Sequence, residues 1–444
     1  MSQSDAEADR RERAAEAGAS PAEPPEPTSV LRHPPFVLYW LARTLANIAW
    51  QMQAVAVGWQ IYETTNNAFD LGLVGLVEFV PLFAFMLLAG PAADRFDRRR
   101  IVQLTQIVQG GAALVLAFGT ATGMISKSFI LLTVFWFGAG RAFEMPTLAT
   151  ILPGIVPTSL FPKAVATNST ATQIATIAGP ALGGVVYAVS PVLVYALCGA
   201  FWLISVTMLG FMTMQRRPPS RAPLTLTSVF AGIHYIRRHP VVMGAITLDL
   251  FAVLLGGATA LLPIYARDIF DTGPWGLGLL RAAPAIGGLS MLVLLARRTP
   301  DRGIGKLLFG AVTAFGVSTI VFALSTSFVL SLLALVVLGA SDSISVVMRS
   351  TLVQLETTDE MRGRVSAVNS LFIGTSNQLG EFRAGTMAGF FGAVPAVIVG
   401  GIGTLAVVAA CIKLFPELYR IQSFPPQRRE PLDDAVVGGP MGGP

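Results

Sequence analysis

The sequence predicts an all-α polytopic membrane protein, with twelve transmembrane helices in two pseudo-symmetric six-helix bundles. Three observations lead there. Of the 444 residues, 53% are hydrophobic and only 13% charged, about half the charge of an ordinary soluble domain. Apolar runs near 20 residues recur along the chain, each long enough to cross a hydrocarbon core of about 30 Å as a helix. The basic residues gather in alternate connections between those runs. Long solid runs exclude a soluble enzyme, and they exclude a β-barrel, whose strands are short and alternating.

Taken in order, the first six spans fall near 36–63, 70–92, 99–121, 128–151, 164–188 and 191–213. Six more follow near 241–266, 274–296, 305–325, 328–352, 364–391 and 394–415. The predicted organisation is therefore a tail (1–34), a six-helix bundle (35–213), a linker (214–240), a second bundle (241–415) and a closing tail (416–444). Both tails are rich in Ala, Pro, Gly or charge and read as disordered. No apolar core follows Arg10, Arg11 and Arg13, so the first tail does not read as a signal peptide. In the linker, Val229, Phe230, Ile233 and Ile236 recur at helical spacing ahead of Arg237 and Arg238, predicting an amphipathic helix on the membrane face.

One set of connections holds Arg95, Arg98, Arg99 and Arg100; Lys163; the linker arginines; Arg297, Arg298, Arg302 and Lys306; and Arg362 and Arg364. The alternate set holds little beyond Lys127 and Arg267. Positive charge stays on the cytoplasmic side, which puts both termini there. The net charge of +5 is thus explained by topology and implies no nucleic-acid partner. Cys198 and Cys411 lie inside apolar runs and imply no disulfide. His234 and His239 have no third ligand at suitable spacing, so no metal is expected.

The halves repeat each other. Ile61-Tyr62, Gly75-Leu76, Glu78 and Pro81 align with Ile264-Tyr265, Gly278-Leu279, Arg281 and Pro284 at one offset, and Lys163, Asn168-Ser169, Gly179 and Gly184 align with Arg364, Asn369-Ser370, Gly380 and Gly385 at a second, nearly equal one. A duplicated transporter with parallel halves has this pattern.

Between spans two and three stands Gly90-Pro-Ala-Ala-Asp94-Arg95-Phe-Asp97-Arg98-Arg99-Arg100. It resembles the signature of the major facilitator superfamily, with Asp97 where that family usually has glycine. The resemblance implies the major facilitator fold and a cytoplasmic gate at Gly90, Asp94, Arg95, Arg98 and Arg99. Asp94 suits such a gate, because a carboxylate at a helix end can bond to a helix N-terminus or pair with Arg98 in one conformation and let go in another. Span five carries Gly179-Pro180-Ala-Leu-Gly183-Gly184, which resembles the tail of the antiporter motif in exporting branches of the superfamily, with Ala175 in place of the upstream glycine. Proline bends the helix, and the glycines permit close packing against the other half. Across residues 35–415 the chain is similar to the exporter group that includes enterobactin efflux proteins, on WQMQAVAVGWQIYE, GRAFEMPTLATILP, LDLFAVLLGGATALLPIYARDIF and DEMRGRVSAVNSLF.

Ionisable residues inside spans are costly and tend to face cavities or partners. Glu78, Arg281, Glu381 and Arg383 fall in the outer half by residue counting; Arg141, Glu144, Asp249 and Asp342 fall nearer mid-depth. Arg43, Asn47 and Gln51 share one face of span one. The substrate-cavity candidates are Arg43, Asn47, Gln51, Arg141, Asp342, Arg281 and Arg383. A proton-coupled exporter needs a carboxylate whose proton affinity changes between states, and the candidates are Asp249, Glu144, Glu78 and Glu381. For each charge the alternative is a structural ion pair. Arg349, near the inner end of span ten, reads as interfacial.

The resulting expectation is a secondary active exporter of an amphipathic organic compound, siderophore-like or drug-like, working by proton antiport and alternating access in a bacterial cytoplasmic membrane. Its partners would be substrate, protons and lipid; it would be a monomer, with no cofactor and no enzymatic activity. The alternatives are an importer or facilitator of a small metabolite, and a non-transporting scaffold or receptor.

Overall fold

The computed structural model describes residues 29–212, 226–298, 300 and 302–424. The expected tails fall largely outside the described residues, as does the first part of the linker. The first half contributes α1 (Pro34–Thr65), α2 (Ala68–Arg95), α3 (Arg98–Ala121), α4 (Lys127–Ile155), α5 (Phe161–Val189) and α6 (Pro191–Phe211). The linker carries α7 (Leu226–Arg238). The second half contributes α8 (Pro240–Gly256), α9 (Gly273–Arg297), α10 (Ile304–Leu324), α11 (Phe328–Glu356), α12 (Asp359–Phe391) and α13 (Ala393–Leu414), followed by the short α14 (Pro416–Arg420). There is no strand among the described residues.

Helix ends carry the residues that satisfy orphan backbone groups. Asn67 accepts from the Phe69 N–H at 2.9 Å to start α2, Ser126 caps α4 and Ser327 caps α11. Asn66 ends α1 in the left-handed region, at φ 48°, a conformation asparagine tolerates better than most residues. By length and composition, ten segments among the described residues can cross a membrane. α1 and α12, at 32 and 33 residues, are long enough but less apolar, because they turn glutamines and charges such as Gln53, Gln60 and Glu381 toward other helices.

The same pairings recur in both halves. α1 packs on α5 and α6, α2 on α4, and α3 on α4 and α6; equivalently, α8 packs on α12 and α13, α9 on α11, and α10 on α11 and α13. Across the seam the principal pairs are α5 with α9 and α2 with α12, which exchange under the same pseudo-symmetry.

The apolar core divides unevenly. At the end of the bundle opposite α7, one continuous cluster spans both halves, joining Trp59, Ile61 and Leu71 to Leu262, Tyr265, Leu277 and Ala384. At the α7 end the core splits in two. One cluster, around Phe36, Tyr39, Ile151 and Leu209, belongs to the first half, and the other, around Val242, Phe309, Leu352 and Leu418, belongs to the second.

The structure departs from the sequence reading in two elements. Span seven is not one helix: α8 stops at Gly256, and the chain continues through a 3-10 turn (Thr259–Leu261) and a π-helix (Tyr265–Ile269). The Gly256-Gly257 pair and Pro263 supply the break, since glycine weakens a helix and proline removes a donor. α7 presents its apolar side to protein rather than to the membrane face. Ile236 is buried in the second-half core, and Gly232 sits against the Arg364 carbonyl of α12. Tyr235 donates to the Glu356 carbonyl at 3.1 Å, which fastens α7 to the end of α11.

The segment after α14 closes onto α10. The N–H groups of Gly303 and Gly305 donate to the carbonyls of Gln422 (2.6 Å) and Ile421 (2.9 Å), satisfying donors that a helix N-terminus leaves free.

Candidate functional site

Three charged groupings lie inside the bundle. The first sits where the halves meet. At the far end the helices approach closely because both sides of the seam carry glycine: a Cβ on Gly184 of α5 would lie 2.9 Å from the Gly278 Cα of α9, and one on Gly72 of α2 would lie 2.9 Å from the Gly385 Cα of α12. One turn further in, a Cβ on Gly75 would come within 3.1 Å of Glu381 Oε2 and 3.3 Å of Gln378 Oε1. The bare backbone at Gly75 therefore lets the Glu381 carboxylate rest on α2, three residues from Glu78. Arg281 of α9 interacts electrostatically with both Glu381 and Glu78. Arg141 of α4 interacts with Glu78 and Glu144, and its guanidinium lies 3.7 Å over the Trp50 ring, a cation–π arrangement. Two buried acceptors here, Glu78 Oε1 and Gln378 Oε1, have no hydrogen-bond partner among the described residues. This cluster draws one charged residue from each of α2, α4, α9 and α12.

The second grouping lies within the first half. Glu144 is 7% exposed, and its two oxygens accept from Gln106 Nε2 at 2.9 Å and Gln109 Nε2 at 2.8 Å. Ser205 Oγ lies 2.8 Å from Gln106 Oε1 and 2.9 Å from the Ala42 carbonyl, linking α3, α4, α6 and α1. Arg141, one turn earlier on α4, acts on Glu144 electrostatically, but the direct donors are two neutral amides.

The third lies within the second half. Asp249 of α8 forms a buried ion pair with Arg349 of α11. Arg349 is 4% exposed and so is not interfacial; the Asp249 carboxylate supplies the countercharge that permits its burial. Asp342 lies two turns before Arg349 on α11 and interacts with both members of the pair.

The remaining candidates are placed as follows. Arg383 donates from Nε to the Leu254 carbonyl at 3.0 Å and from Nη2 to that of Leu255, occupying acceptors freed where α8 breaks. Its distance in sequence from Glu381 is small, but its side chain serves α8, while Glu381 has Arg281. Arg43 donates to Tyr39 Oη at 2.8 Å, and Tyr39 donates to the Leu148 carbonyl at 3.2 Å. Asn47 reaches the Thr172 carbonyl at 3.4 Å. Gly179 and Gly183 pack on Gln51 and Met52 of α1, and Gly184 on α9; Pro180 stays inside a continuous α5. In the α2–α3 turn, the side chains of Gly90 and Asp94 lie outside the described residues. Arg95 is exposed, Arg98 reaches the Thr150 carbonyl at 3.4 Å and Arg99 donates to the Met212 carbonyl at 2.8 Å. Asp97 is not left-handed: at φ −62° and ψ 115° it caps α3, accepting from the Arg99 N–H at 2.9 Å. An aspartate replacing glycine here brings its own helix-starting acceptor.

A far-side contact joins the halves as well. Tyr62 of α1 donates to the Asp268 carboxylate, and Arg267 donates to Asn66 Oδ1 at 2.7 Å. Sequence reasoning missed Trp50, Tyr62, Gln106, Gln109 and Asp268. Of these only the glutamines carried a signal, since Gln103, Gln106 and Gln109 recur every third residue in an otherwise apolar span. Among the described residues no group of three His, Cys, Asp or Glu is placed to hold a metal ion.

Comparison with known proteins gives the arrangement its context. The enterobactin exporter EntS of Escherichia coli O81 (strain ED1a) is 25% identical over 402 residues, covering 89% of this chain and 95% of the relative. Two solved structures share the fold. A bacterial homologue of the iron transporter ferroportin, in an inward-facing state, is 18% identical at a TM-score of 0.66, covering 89% of this chain and 100% of that one. A bacterial homologue of the human lysosomal transporter Spinster, inward-facing and unoccupied, is 15% identical at a TM-score of 0.68, covering 88% and 97%. The sequence profile of the transmembrane secretion effector family matches residues 26–436. The chain is a multi-pass integral membrane transporter of the major facilitator superfamily and belongs to its transmembrane secretion effector family.

Proposed function

We propose that this exporter works by alternating access and proton antiport, moving an amphipathic organic compound, siderophore-like or drug-like, out of a bacterial cytoplasm. Loop charge sets the α7 end in the cytoplasm, with both termini there. The observation that carries the reading is the division of the core: one cluster across both halves at the far end, two separate clusters at the α7 end. That is an inward-facing arrangement, and rocking of the halves would reverse it. The charged cluster lies where the rocking surfaces meet. Glu78 and Glu381 share the Arg281 guanidinium, so a proton on either carboxylate rebalances charge across the seam. A substrate group bonding to the same carboxylates or guanidiniums competes with that proton, and this couples the two fluxes. The direction, export, is supported by the exporter relatives. The protein is taken to act as a monomer.

Inverted membrane vesicles with an acid interior test this. They should accumulate members of a panel of fluorescent amphiphiles, such as ethidium and a rhodamine, and Glu381→Gln should abolish gradient-driven uptake while downhill exchange persists. No accumulation of any compound, together with no substrate-induced loss of the pH gradient, would remove proton antiport from consideration.

A further inference from the structure

The seam cluster uses Glu78, Glu381, Arg141 and Arg281, and leaves the third grouping without a task. Asp342, Ser345 and Arg349 fall on one face of α11, opposite Asp249 on α8. Asp249, Asp342 and Ser345 line a small cavity of ≈ 10 Å³ together with Ala252, Val253, Val312 and Phe315, about the space of one water. The charges do not balance. Two carboxylates face one guanidinium, and Arg349 is in ion-pair contact with Asp249. Asp342 has no hydrogen bond or ion pair of its own among the described residues, and it interacts electrostatically with both neighbours.

Among the described residues the cavity lining contains no cation to correct the imbalance. α10 presents Val312 and Phe315 to the cavity, and α8 carries no ionisable residue besides Asp249. On α9, Arg281 is engaged with Glu381 and Glu78. On α12, Glu381 faces Arg281, and Arg383 is held by the carbonyls of Leu254 and Leu255. With every group ionised, the half-buried Asp342 leaves one uncompensated negative charge beside the Asp249–Arg349 pair inside a membrane span, an arrangement a protein relieves by binding a proton.

We propose that Asp342 is a second proton site, lying wholly within the second half and separate from the seam cluster. Arg349 bonds to Asp249 while Asp342 holds the proton. When the proton leaves, Arg349 is shared between the two carboxylates, which couple as one titrating unit. Because α8 and α11 both belong to the second half, a movement of α8 against α11 is enough to switch this site, with no contact to substrate. The inference rests on the proton-antiport reading for its role in transport, though not for the existence of the site. Its consequence there is about twice as many protons moved per substrate as the seam alone would carry.

Infrared difference spectroscopy of the purified protein tests the site without any substrate. At neutral pH the spectrum should contain the carbonyl stretch of a protonated carboxylic acid that shifts on exchange into D2O. Asp342→Asn should remove it, Asp342→Glu should keep it at an altered frequency, and Glu381→Gln should leave it in place. If Asp342→Asn melts at the wild-type temperature and retains the band, the proposal is overturned. In proteoliposomes, the protons moved per ethidium should fall about twofold in Asp342→Asn with uptake still gradient-driven, and an unchanged ratio overturns the proposal equally. A wild-type protein that shows the band but no proton-driven transport keeps the site and discards the antiport reading, so the two failures are distinct.

Discussion

Each half of the molecule buries a carboxylate near mid-depth, and the two halves hold it by different means. In the first half, Glu144 is held by two neutral amides, with Ser205 behind them. In the second half, Asp249 is held by a guanidinium. Amide donors satisfy the lone pairs without adding charge, so the network is cheap to perturb and each donor matters modestly. An ion pair is different in kind: it is weak evidence of stability as a pair, yet breaking it strands a charge. The first half is thus built around a fixed carboxylate, while the second contains a pair whose partners can be exchanged.

Four variants would break or sharpen this contrast. The largest effect is expected from Arg349→Ala, which leaves Asp249 uncompensated and should destabilise the protein by about 3–5 kcal/mol, read as loss of monodisperse protein on heating in detergent. A loss under about 1 kcal/mol would mean that the pair is not buried as described. Next, Gln109→Ala should cost about 1–3 kcal/mol, the price of leaving one Glu144 oxygen without its donor. If it cost as much as Arg349→Ala, the contrast between the halves would collapse. Adding Asp249→Leu to Arg349→Met should come out nearly neutral in stability, since removing both charges removes the problem, whereas transport should not recover. The smallest effect belongs to Tyr62→Phe, which deletes one hydrogen bond between the halves. It should weaken far-side closure by about 1 kcal/mol, seen as roughly fivefold faster labelling of a cysteine placed at the buried Leu71.

Much of the fold could be read in advance, because lipid imposes a one-dimensional rule: long apolar runs become helices, and basic residues mark one end of them. The broken span seven was harder. Gly256-Gly257 and Pro263 are present in the sequence, but similar residues such as Pro180 and Gly183-Gly184 stay inside a continuous α5. What differs is that Arg383, from another helix, supplies donors to the carbonyls that the break in α8 exposes, and this is visible only in three dimensions. The charged residues were identifiable as unusual, yet their partners were not. Arg383 stands two residues from Glu381 and bonds to α8 instead, whereas Arg281, a hundred positions earlier, is the cation that acts on Glu381 electrostatically. Arg349 was read as interfacial because its position near a span end is ambiguous until Asp249 is seen opposite it. Partner choice across helices is set by packing, and packing has no signature in a single chain's spacing.

The closure of α10 by residues 421 and 422 has a bearing on biogenesis. Residues 421 and 422, whose carbonyls cover the first donors of α10, are synthesised after α11, α12 and α13. α10 must therefore enter the bilayer with its start uncovered and wait in that condition while α11, α12 and α13 are threaded after it. Shortening the chain before residue 421 should leave insertion complete but the second half unlocked at the start of α10, where proteases that survey the membrane would find it.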